Sequence, residues 1–416
     1  MAEDHDVRTL TDPAELRAAA ELFRHTLHVG PMPDAAWERH GPADDEHTLG
    51  VFTTGGELAG TAYSFPSRLT VPGGARIPAA AVSGVGVRAD RTREGRLGAL
   101  MWAQLSAAAG RGDAAAMLRA SETAIYERYG YGIASRSDEV AVRAHPQWRP
   151  EAPGGGTVRM VGADDELGPV AALHERLAGQ RPGAITRTRR WWRRVATPAE
   201  GADAYRGAAV HLPTGSERID DGCLDDADGL VAWGLTEAHR PGRRDTLLVH
   251  DLWGATPSVV TALWRFVTGI DLIEGVVARH RPRDENLDLV LADPRAVTVT
   301  SGGRDELWLR ILDVPAALAA RTWAPDGEIV LRVHDPLFDD RSGTWRLGPD
   351  GPSPAAGAVP DLETGVAALA MAYLGDRTPS ELVAAGRWAE HTDGAARCAD
   401  ALFGVPGPVP WCGTMF

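Results

Sequence analysis

The chain has 416 residues, which predicts roughly two to four compact units at about 150 residues per domain. Apolar residues make up 44% and charged residues 24%, which excludes a disordered or fibrous protein. The formal net charge of −14 excludes the broad positive surface that nucleic acids or anionic membranes require, so polycationic partners fit better.

The basic residues are all arginine. Lys and Arg together number 43, and no lysine occurs anywhere in the sequence. This excludes a Walker A nucleotide site, a protein kinase and Schiff-base chemistry, because each requires a lysine. GC-rich coding explains the bias, since asparagine is similarly depleted and occurs only at Asn286.

The cysteines and the N-terminus indicate a cytoplasmic protein. Cys223, Cys398 and Cys412 are widely spaced, which predicts neither a disulfide framework nor a zinc site. The first ten residues are acidic and polar, and no apolar run is long enough to span a bilayer. The 13 histidines show no metal-ligand spacing, so we expect no metal.

The first 150 residues predict alternating helices and strands. Asp12 and Pro13 supply an N-cap and a first-turn proline for the first helix. We expect a helix at 11–27, a hairpin of strands 48–53 and 57–66, a strand at 79–87, a helix at 96–109, a short strand at 115–120 and a helical turn around Tyr126.

Glycines 154–156, which follow two prolines, indicate a linker, and a similar order of elements then begins again. After Pro294 the order of predicted strands and helices changes, which indicates a third unit of α+β type. We therefore predict domains at 1–150, 151–295 and 296–416. The elements expected in the last two are helices at 166–177, 257–267, 314–322 and 362–374, and strands at 229–236, 245–252, 272–277, 306–312, 327–333 and 344–347.

The most informative segment, residues 82–97, reads VSGVGVRADRTREGRL. A strand enters a loop rich in arginine and glycine, and a helix begins at once. Glycine lets the backbone approach phosphates, the first N–H groups of the helix point at them, and Arg91, Arg93 and Arg96 add positive charge. This pattern is typical of a pyrophosphate site. An ordinary strand-to-helix turn with solvated arginines is the alternative.

The same segment resembles the signature Arg/Gln-x-x-Gly-x-Gly/Ala of the Gcn5-related N-acetyltransferase (GNAT) superfamily. Thr92 and Leu97 depart from it. Residues 118–132, LRASETAIYERYGYG, resemble a string of the enhanced intracellular survival (Eis) acetyltransferases, and residues 305–321, DELWLRILDVPAALAAR, resemble the third-domain segment of that family. The resemblance implies an α/β (α+β) chain with tandem GNAT-like domains, a sterol-carrier-protein-like C-terminal domain and assembly as a homohexamer.

The resemblance also implies site residues and the co-substrate acetyl-CoA. Tyr126 would be the general acid, and the terminal carboxylate of Phe416 would be the general base. The acetyl-CoA site would comprise Val85, Gly86, Val87, Arg93, Glu94, Gly95, Arg96, Leu97, Gly98, Ser121 and Glu122. Ser83, Gly84 and Trp37 would contact the amine substrate, although packing within a strand or the core explains these three residues equally well.

Acetyl transfer requires these residue types. A neutral amine must lose a proton, and the departing thiolate must gain one. A phenol is protonated at neutral pH, so it can donate to sulfur, whereas an α-carboxylate is a good base only if desolvation raises its pKa. Residues 405–416, VPGPVPWCGTMF, have no charged side chain and suit an apolar channel. A frayed terminus is the alternative, and Tyr129 and Tyr131 compete for the role of acid.

We therefore predict an acetyl-CoA-dependent N-acetyltransferase that acts on primary amines, such as aminoglycosides, polyamines or lysine-type substrates, by direct transfer in a ternary complex. The alternatives are a tandem-GNAT synthase of the mycothiol-forming type and a non-catalytic protein that binds a lipid or partner. The second domain lacks the loop with glycine and arginine, so we expect no acetyl-CoA there. The basic and aromatic run at 187–194 is interpreted as a helix face or subunit contact, not a nucleic-acid site.

Overall fold

The computed structural model describes residues 5–41, 47–161, 167–196, 206–215, 224–235, 245–404 and 406–416, so Cys223 lies outside the described residues. The chain forms two compact units. The first contains residues 1–134, 307–406 and 415–416, and the second contains residues 135–306 and 407–414. Among the described residues, no helix combines the length and the apolar character needed to cross a bilayer.

Strands and helices alternate through both units. The strands are β1 (Val7–Thr9), β2 (His47–Phe52), β3 (Leu58–Thr70), β4 (Arg76–Val87), β5 (Ala115–Leu118), β6 (Gly132–Arg143), β7 (Thr157–Met160), β8 (Arg206–Leu212), β9 (Gly229–Leu235), β10 (Asp245–Gly254), β11 (Ile273–Arg281), β12 (Val297–Ile311), β13 (Ile329–His334), β14 (Gly343–Gly348), β15 (Gly351–Pro354), β16 (Leu362–Gly365) and β17 (Trp388–Glu390). The helices are α1 (Pro13–Thr26), α2 (Asp34–His40), α3 (Arg96–Gly110), α4 (Leu167–Ala178), α5 (Arg189–Ala196), α6 (Pro257–Thr268), α7 (Leu287–Val290), α8 (Val314–Ala320), α9 (Val366–Tyr373), α10 (Pro379–Ala384) and α11 (Ala395–Phe403).

The first unit contains a sheet in the order β1-β2-β3-β4-β5, with the C-terminal half of β12 paired to β5. Its strands are antiparallel except for the β4–β5 pair, which is parallel. A parallel pair requires a crossover connection, and α3 provides it. The apolar face of α3, which includes Leu100, Met101 and Leu105, is buried against this sheet.

A second sheet in the same unit has the order β15-β14-β13-β16-β17. The side chains of Arg310 on β12 and Asp335, directly after β13, form a fully buried ion pair within this unit, with Nη2 donating to Oδ1 and Oδ2 at 2.8 and 2.6 Å. Asp335 also accepts the backbone N–H groups of Leu337 and Phe338. This carboxylate therefore fixes the turn after β13 as well as the arginine.

The second unit repeats the parallel crossover. Strands β10 and β11 are parallel and α6 connects them, in a sheet that runs β6-β11-β10-β9-β8-β7. Thr256 caps α6 by accepting the N–H of Val259, and Pro257 occupies its first turn. Leu263, Trp264 and Val267 on α6 are buried in the core of this unit.

Two predicted elements were wrong in their extent. The segment 362–374 is not one helix, because residues 362–365 pair with β13 and β17 and the helix begins only at Val366. Strand β12 begins at Val297, well before residue 306. Its first half is not buried, and Gly302 and Gly303 interrupt the short alternation of residues 297–300. The domain limits at 150 and 295 stay a prediction.

Candidate active site

Strand β4 separates from β5 after Ala81 and then contains a bulge. Thr61 pairs with Gly86 and Tyr63 with Ser83, so a single β3 residue lies opposite both Gly84 and Val85. Gly84 has a φ of 60°, and a Cβ there would lie 2.3 Å from the Tyr63 ring. The pairing of β4 with β5 covers only residues 79–81 of β4, although β4 continues to Val87. The bulge therefore lies within the part of β4 that does not pair with β5, which is an open strand edge.

The loop after β4 leads to an uncapped helix N-terminus. Gly95 is the N-cap residue of α3, has a φ of 83° and provides no side-chain cap. Arg93 is exposed and has a φ of 66°, whereas Arg96 donates to the Phe52 carbonyl at 2.8 Å and to Glu94 at 2.9 Å. The first N–H groups of a helix have no partner within the helix and attract anions. Arg93 is therefore better placed than Arg96 to contact a phosphate.

Tyr126 lies in a buried cluster beside the open edge of β4. It follows a 3₁₀ turn at Thr123–Ile125, and its ring packs edge-on against Tyr131 at 6.0 Å between centroids. Val85 and Leu97 pack against the same cluster. Burial raises the pKa of Tyr126 to about 12, so its hydroxyl remains protonated at neutral pH.

The two competing tyrosines differ from Tyr126 in position. Tyr131 is fully buried, its hydroxyl has no hydrogen-bond partner within the described part of the chain, and burial raises its pKa. The hydroxyl of Tyr129 lies 3.8 Å from the position of a Cβ built on Gly98, beside the start of α3. The Tyr129 hydroxyl therefore lies beside the N-terminus of α3.

Phe416, the last residue, packs its ring against Phe65 of β3 at 5.9 Å in an edge-on arrangement. Phe65 pairs with Ala81 of β4, and Ala81 pairs with Met117 of β5. Neighbouring strands are about 4.8 Å apart, so Phe416 lies on the same sheet as the open edge and within a few strand spacings of it. The structure thus shows a packed C-terminal residue.

The remaining predicted residues differ in their exposure. Thr26, the last residue of α1, lies 2.7 Å from the position of a Cβ on Gly86, so only glycine fits there. Trp37 on α2 is partly exposed, with the guanidinium of Arg17 over its ring at 5.3 Å. Ser83 and Val87 are partly exposed, and Ser121 and Glu122 are exposed.

Sequence reasoning missed two buried charged residues that hold the C-terminal segment. Arg187 donates to Thr414 Oγ1 and to the Gly413 carbonyl, both at 3.0 Å. Glu306 accepts the N–H groups of Cys412 and Gly413, both at 3.0 Å. The aromatic residues after Arg187 were the available signal, but they were interpreted as a surface.

The second unit retains the bulge but not the phosphate loop. Val249 pairs with Trp233 and Asp251 with Ala232, so His250 is an extra residue in β10. The loop that follows β10 contains no arginine, and the Thr256 hydroxyl caps α6. A capped helix start without a nearby cation is a poor pyrophosphate site.

Three family models match the chain. A GNAT acetyltransferase domain matches residues 6–134, a second GNAT acetyltransferase domain matches residues 183–311, and a sterol carrier protein domain matches residues 314–413. The predicted fold class, tandem GNAT domains followed by a sterol-carrier-protein-like domain, is confirmed.

Relatives match over nearly the full chain. An uncharacterized N-acetyltransferase of Streptomyces griseus is 37% identical and covers 99% of both chains. The N-acetyltransferase Eis of Mycobacterium tuberculosis is 33% identical, covering 96% of this chain and 98% of its own. The crystal structure of Eis1 from Mycobacterium abscessus superposes with a TM-score of 0.84 at 34% identity, covering 99% of this chain and 100% of that one.

Proposed function

The chain belongs to the Eis family of GNAT N-acetyltransferases, and on this premise we propose that it transfers the acetyl group of acetyl-CoA directly to a primary amine of a small molecule. Tyr126 acts as the general acid and the α-carboxylate of Phe416 as the general base. The observation that carries the proposal is the open edge of β4, which leads through the Gly95 turn to the uncapped start of α3.

This edge fits acetyl-CoA. An extended amide chain can add to an open strand edge by backbone hydrogen bonds, which here would come from Val85, Gly86 and Val87. The pyrophosphate would bind at residues 93–98, where the left-handed Gly95 and the N–H groups of Arg96, Leu97 and Gly98 face an anion. Ser121 and Glu122, in the loop after β5, would complete the edge of the acetyl-CoA site.

The transfer requires two proton movements. The amine nitrogen forms a bond to the acetyl carbon as the carbon–sulfur bond breaks. The Phe416 carboxylate takes the proton that the amine loses, and the Tyr126 hydroxyl donates its proton to the departing sulfur. No covalent acyl-enzyme is formed, so both substrates are bound together.

The buried position of Tyr126 supports its role. A phenol with a pKa of about 12 is protonated throughout the physiological range. Val85 of the open strand edge packs against the cluster that contains Tyr126, which supports a role for Tyr126 at this edge. Tyr131 is fully buried and Tyr129 lies beside the start of α3, so neither is as well placed at the acetyl end.

The residues expected near the amine predict that the enzyme accepts fewer, or less positively charged, substrates than the broadest aminoglycoside acetylases of the family. The family resemblance implies acidic residues on the first helix and just before the C-terminus of those enzymes, where this chain has His25, His28 and Met415. All three are exposed. The net charge of −14 still favours the approach of polyamines. The homohexamer implied by the family stays a prediction.

A thiol-release assay with acetyl-CoA and a panel of amines tests the proposal. We expect turnover with at least one polyamine or aminoglycoside, and a kcat about 100-fold lower for Tyr126→Phe. Tyr131→Phe is the matched control and should retain wild-type kcat, because that hydroxyl is buried and has no partner within the described residues.

If no amine releases CoA from the wild-type enzyme, the proposed activity is wrong. If Tyr126→Phe and Tyr131→Phe both keep wild-type kcat, the activity stands but Tyr126 is not the acid. Activity on kanamycin or neomycin equal to that of a broad-range relative would contradict the narrower substrate range.

A further inference from the structure

In the second unit, the C-terminal segment, residues 407–414, lies where the parallel strands separate. The first unit has its open strand edge at the corresponding point of its own parallel pair. Pairing of β10 with β11 ends at Val249 and Ala278, although both strands continue beyond it. Trp411 lies past this point. Its indole N–H donates to the His280 carbonyl at 2.6 Å, and its ring lies 4.2 Å from that of Trp253 on β10.

Further contacts fix this tryptophan. Its backbone N–H donates to the Pro182 carbonyl at 2.8 Å, and the guanidinium of Arg281 lies 4.9 Å from its ring. Arg281 also donates to the Leu252 carbonyl of β10 at 2.9 Å. The separation of β10 and β11 is therefore closed by the protein's own side chains.

Arg187 binds the segment directly after Trp411. Its side chain is fully buried and forms an ion pair with Asp251, and its Nε and Nη2 atoms donate to the Thr414 hydroxyl and the Gly413 carbonyl. Rings of three tryptophans lie within 5.8 Å of its guanidinium: Trp191, Trp192 and Trp253. A charge buried this deeply requires fixed partners, so the positions of Gly413 and Thr414 are closely determined.

Glu306 holds the same segment from another strand. It is 1% exposed and accepts three hydrogen bonds at 3.0 Å, from the Ser135 hydroxyl and from the backbone N–H groups of Cys412 and Gly413. Gly413 has a φ of 61°, and a Cβ on it would lie 2.5 Å from the Trp411 ring. The backbone therefore turns sharply at Gly413, with both peptide N–H groups bonded to one carboxylate.

We propose that Glu306 and Arg187 are positioning residues for acetyl transfer, because they fix the chain from two to four residues before Phe416. Two residues span at most about 7 Å, so the anchor at Thr414 limits where that carboxylate can lie. This inference rests on the proposed role of Phe416 as general base.

A double-mutant cycle tests the proposal. Glu306→Gln is measured in the native-length enzyme and in an enzyme with one glycine added after Phe416, which displaces the carboxylate. We expect Glu306→Gln to lower kcat about 10-fold in the native-length enzyme, with little change in KM for acetyl-CoA, because a misplaced base slows only the chemical step. In the extended enzyme, already about 100-fold slower, the same substitution should lower kcat less than about 2-fold further.

Glu328→Gln, an exposed carboxylate that pairs with Arg346, is the matched control and should leave both backgrounds unchanged. Equal 10-fold losses in both backgrounds, or no loss in the native-length enzyme, would overturn the positioning role. If the extended enzyme keeps wild-type kcat, the general-base assignment fails and the positioning role fails with it.

Thr414→Val provides a second, milder variant, because it removes only the hydroxyl that accepts from Arg187 Nε. If Glu306→Gln does not fold, Thr414→Val replaces it in the double-mutant cycle, with kcat measured in the native-length and extended enzymes. A loss of kcat confined to the native-length enzyme supports the proposal, and a loss of equal size in both backgrounds contradicts it.

Discussion

At the scale of single residues, burial gives Tyr126 the properties that its proposed role requires. Its side chain is 7% exposed, and its pKa is raised because the apolar cluster disfavours the phenolate. The same cluster contains Tyr131, which is fully buried, and Tyr129, whose pKa burial also raises. The segment 118–132 thus contains three tyrosines whose hydroxyl groups lie in different environments.

The raised pKa of Tyr126 predicts a measurable effect on stability. The unfolded phenol titrates near 10, so below that pH both states are protonated and this residue adds no pH dependence. Between about pH 10 and 12 the unfolded chain loses a proton that the folded chain keeps, and the free energy of unfolding should fall by about 1.4 kcal/mol per pH unit from this group.

Urea unfolding of the wild type and Tyr126→Phe at several pH values between 9 and 12 measures this effect. Tyr126→Phe should show the shallower decline, because all other titrating groups are common to both proteins. Parallel declines would show that Tyr126 titrates near its ordinary value.

At the scale of elements, the sequence predicted the features that a local motif encodes. The turn at Gly95, the start of α3 and the loop at Tyr126 all depend on residues close together in the chain. The bonds from Glu306 to the C-terminal segment join residues 106 and 107 positions apart, and those from Arg187 span 226 and 227. No local periodicity encodes such partners, so both residues were missed.

The start of α3 provides a prediction at this scale. Gly95→Ala forces a side chain into a φ of 83°, with its Cβ 3.1 Å from the His5 ring, so the turn before the helix should shift. We expect a loss of about 1 kcal/mol in the free energy of unfolding and a KM for acetyl-CoA raised about 10-fold, because the N–H groups that bind the pyrophosphate move.

Steady-state kinetics with each substrate varied in turn checks this expectation. KM for the amine should remain within about 2-fold of wild type, because Gly95→Ala weakens the binding of acetyl-CoA and leaves the contacts of the amine unchanged. Gly110→Ala, at the open C-terminal end of the same helix, is the matched control. An unchanged KM for acetyl-CoA in Gly95→Ala would remove the turn from the binding site.

At the scale of the whole molecule, the two compact units differ at the strand edge and at the helix start of their parallel strand–helix–strand crossovers. The first leaves β4 open after the bulge and follows it with an uncapped helix, whereas the second has its own C-terminal segment beyond the bulge and a capped helix. From the missing loop with glycine and arginine, the sequence predicted that the second domain binds no acetyl-CoA, which stays a prediction. It did not predict that Trp411 lies in the second unit.

The buried ion pair of Arg310 and Asp335 is the largest stability determinant that we predict in the first unit. Arg310→Met would leave the Asp335 carboxylate buried without its cation, at an expected loss of about 3–5 kcal/mol in the free energy of unfolding. Denaturant unfolding measures it, with the exposed Arg346→Met as the control. A loss below about 1 kcal/mol would contradict the importance of this pair.

The proposed transfer depends most on the C-terminal carboxylate of Phe416, the base that accepts the amine proton. The most direct measurement is kcat for an enzyme that ends in a Phe416 α-amide, prepared by ligation and compared with the same ligated enzyme bearing the free carboxylate. The account predicts a kcat at least about 100-fold lower for the amide, with KM for acetyl-CoA unchanged. A kcat for the amide within about 3-fold of that of the carboxylate would contradict it.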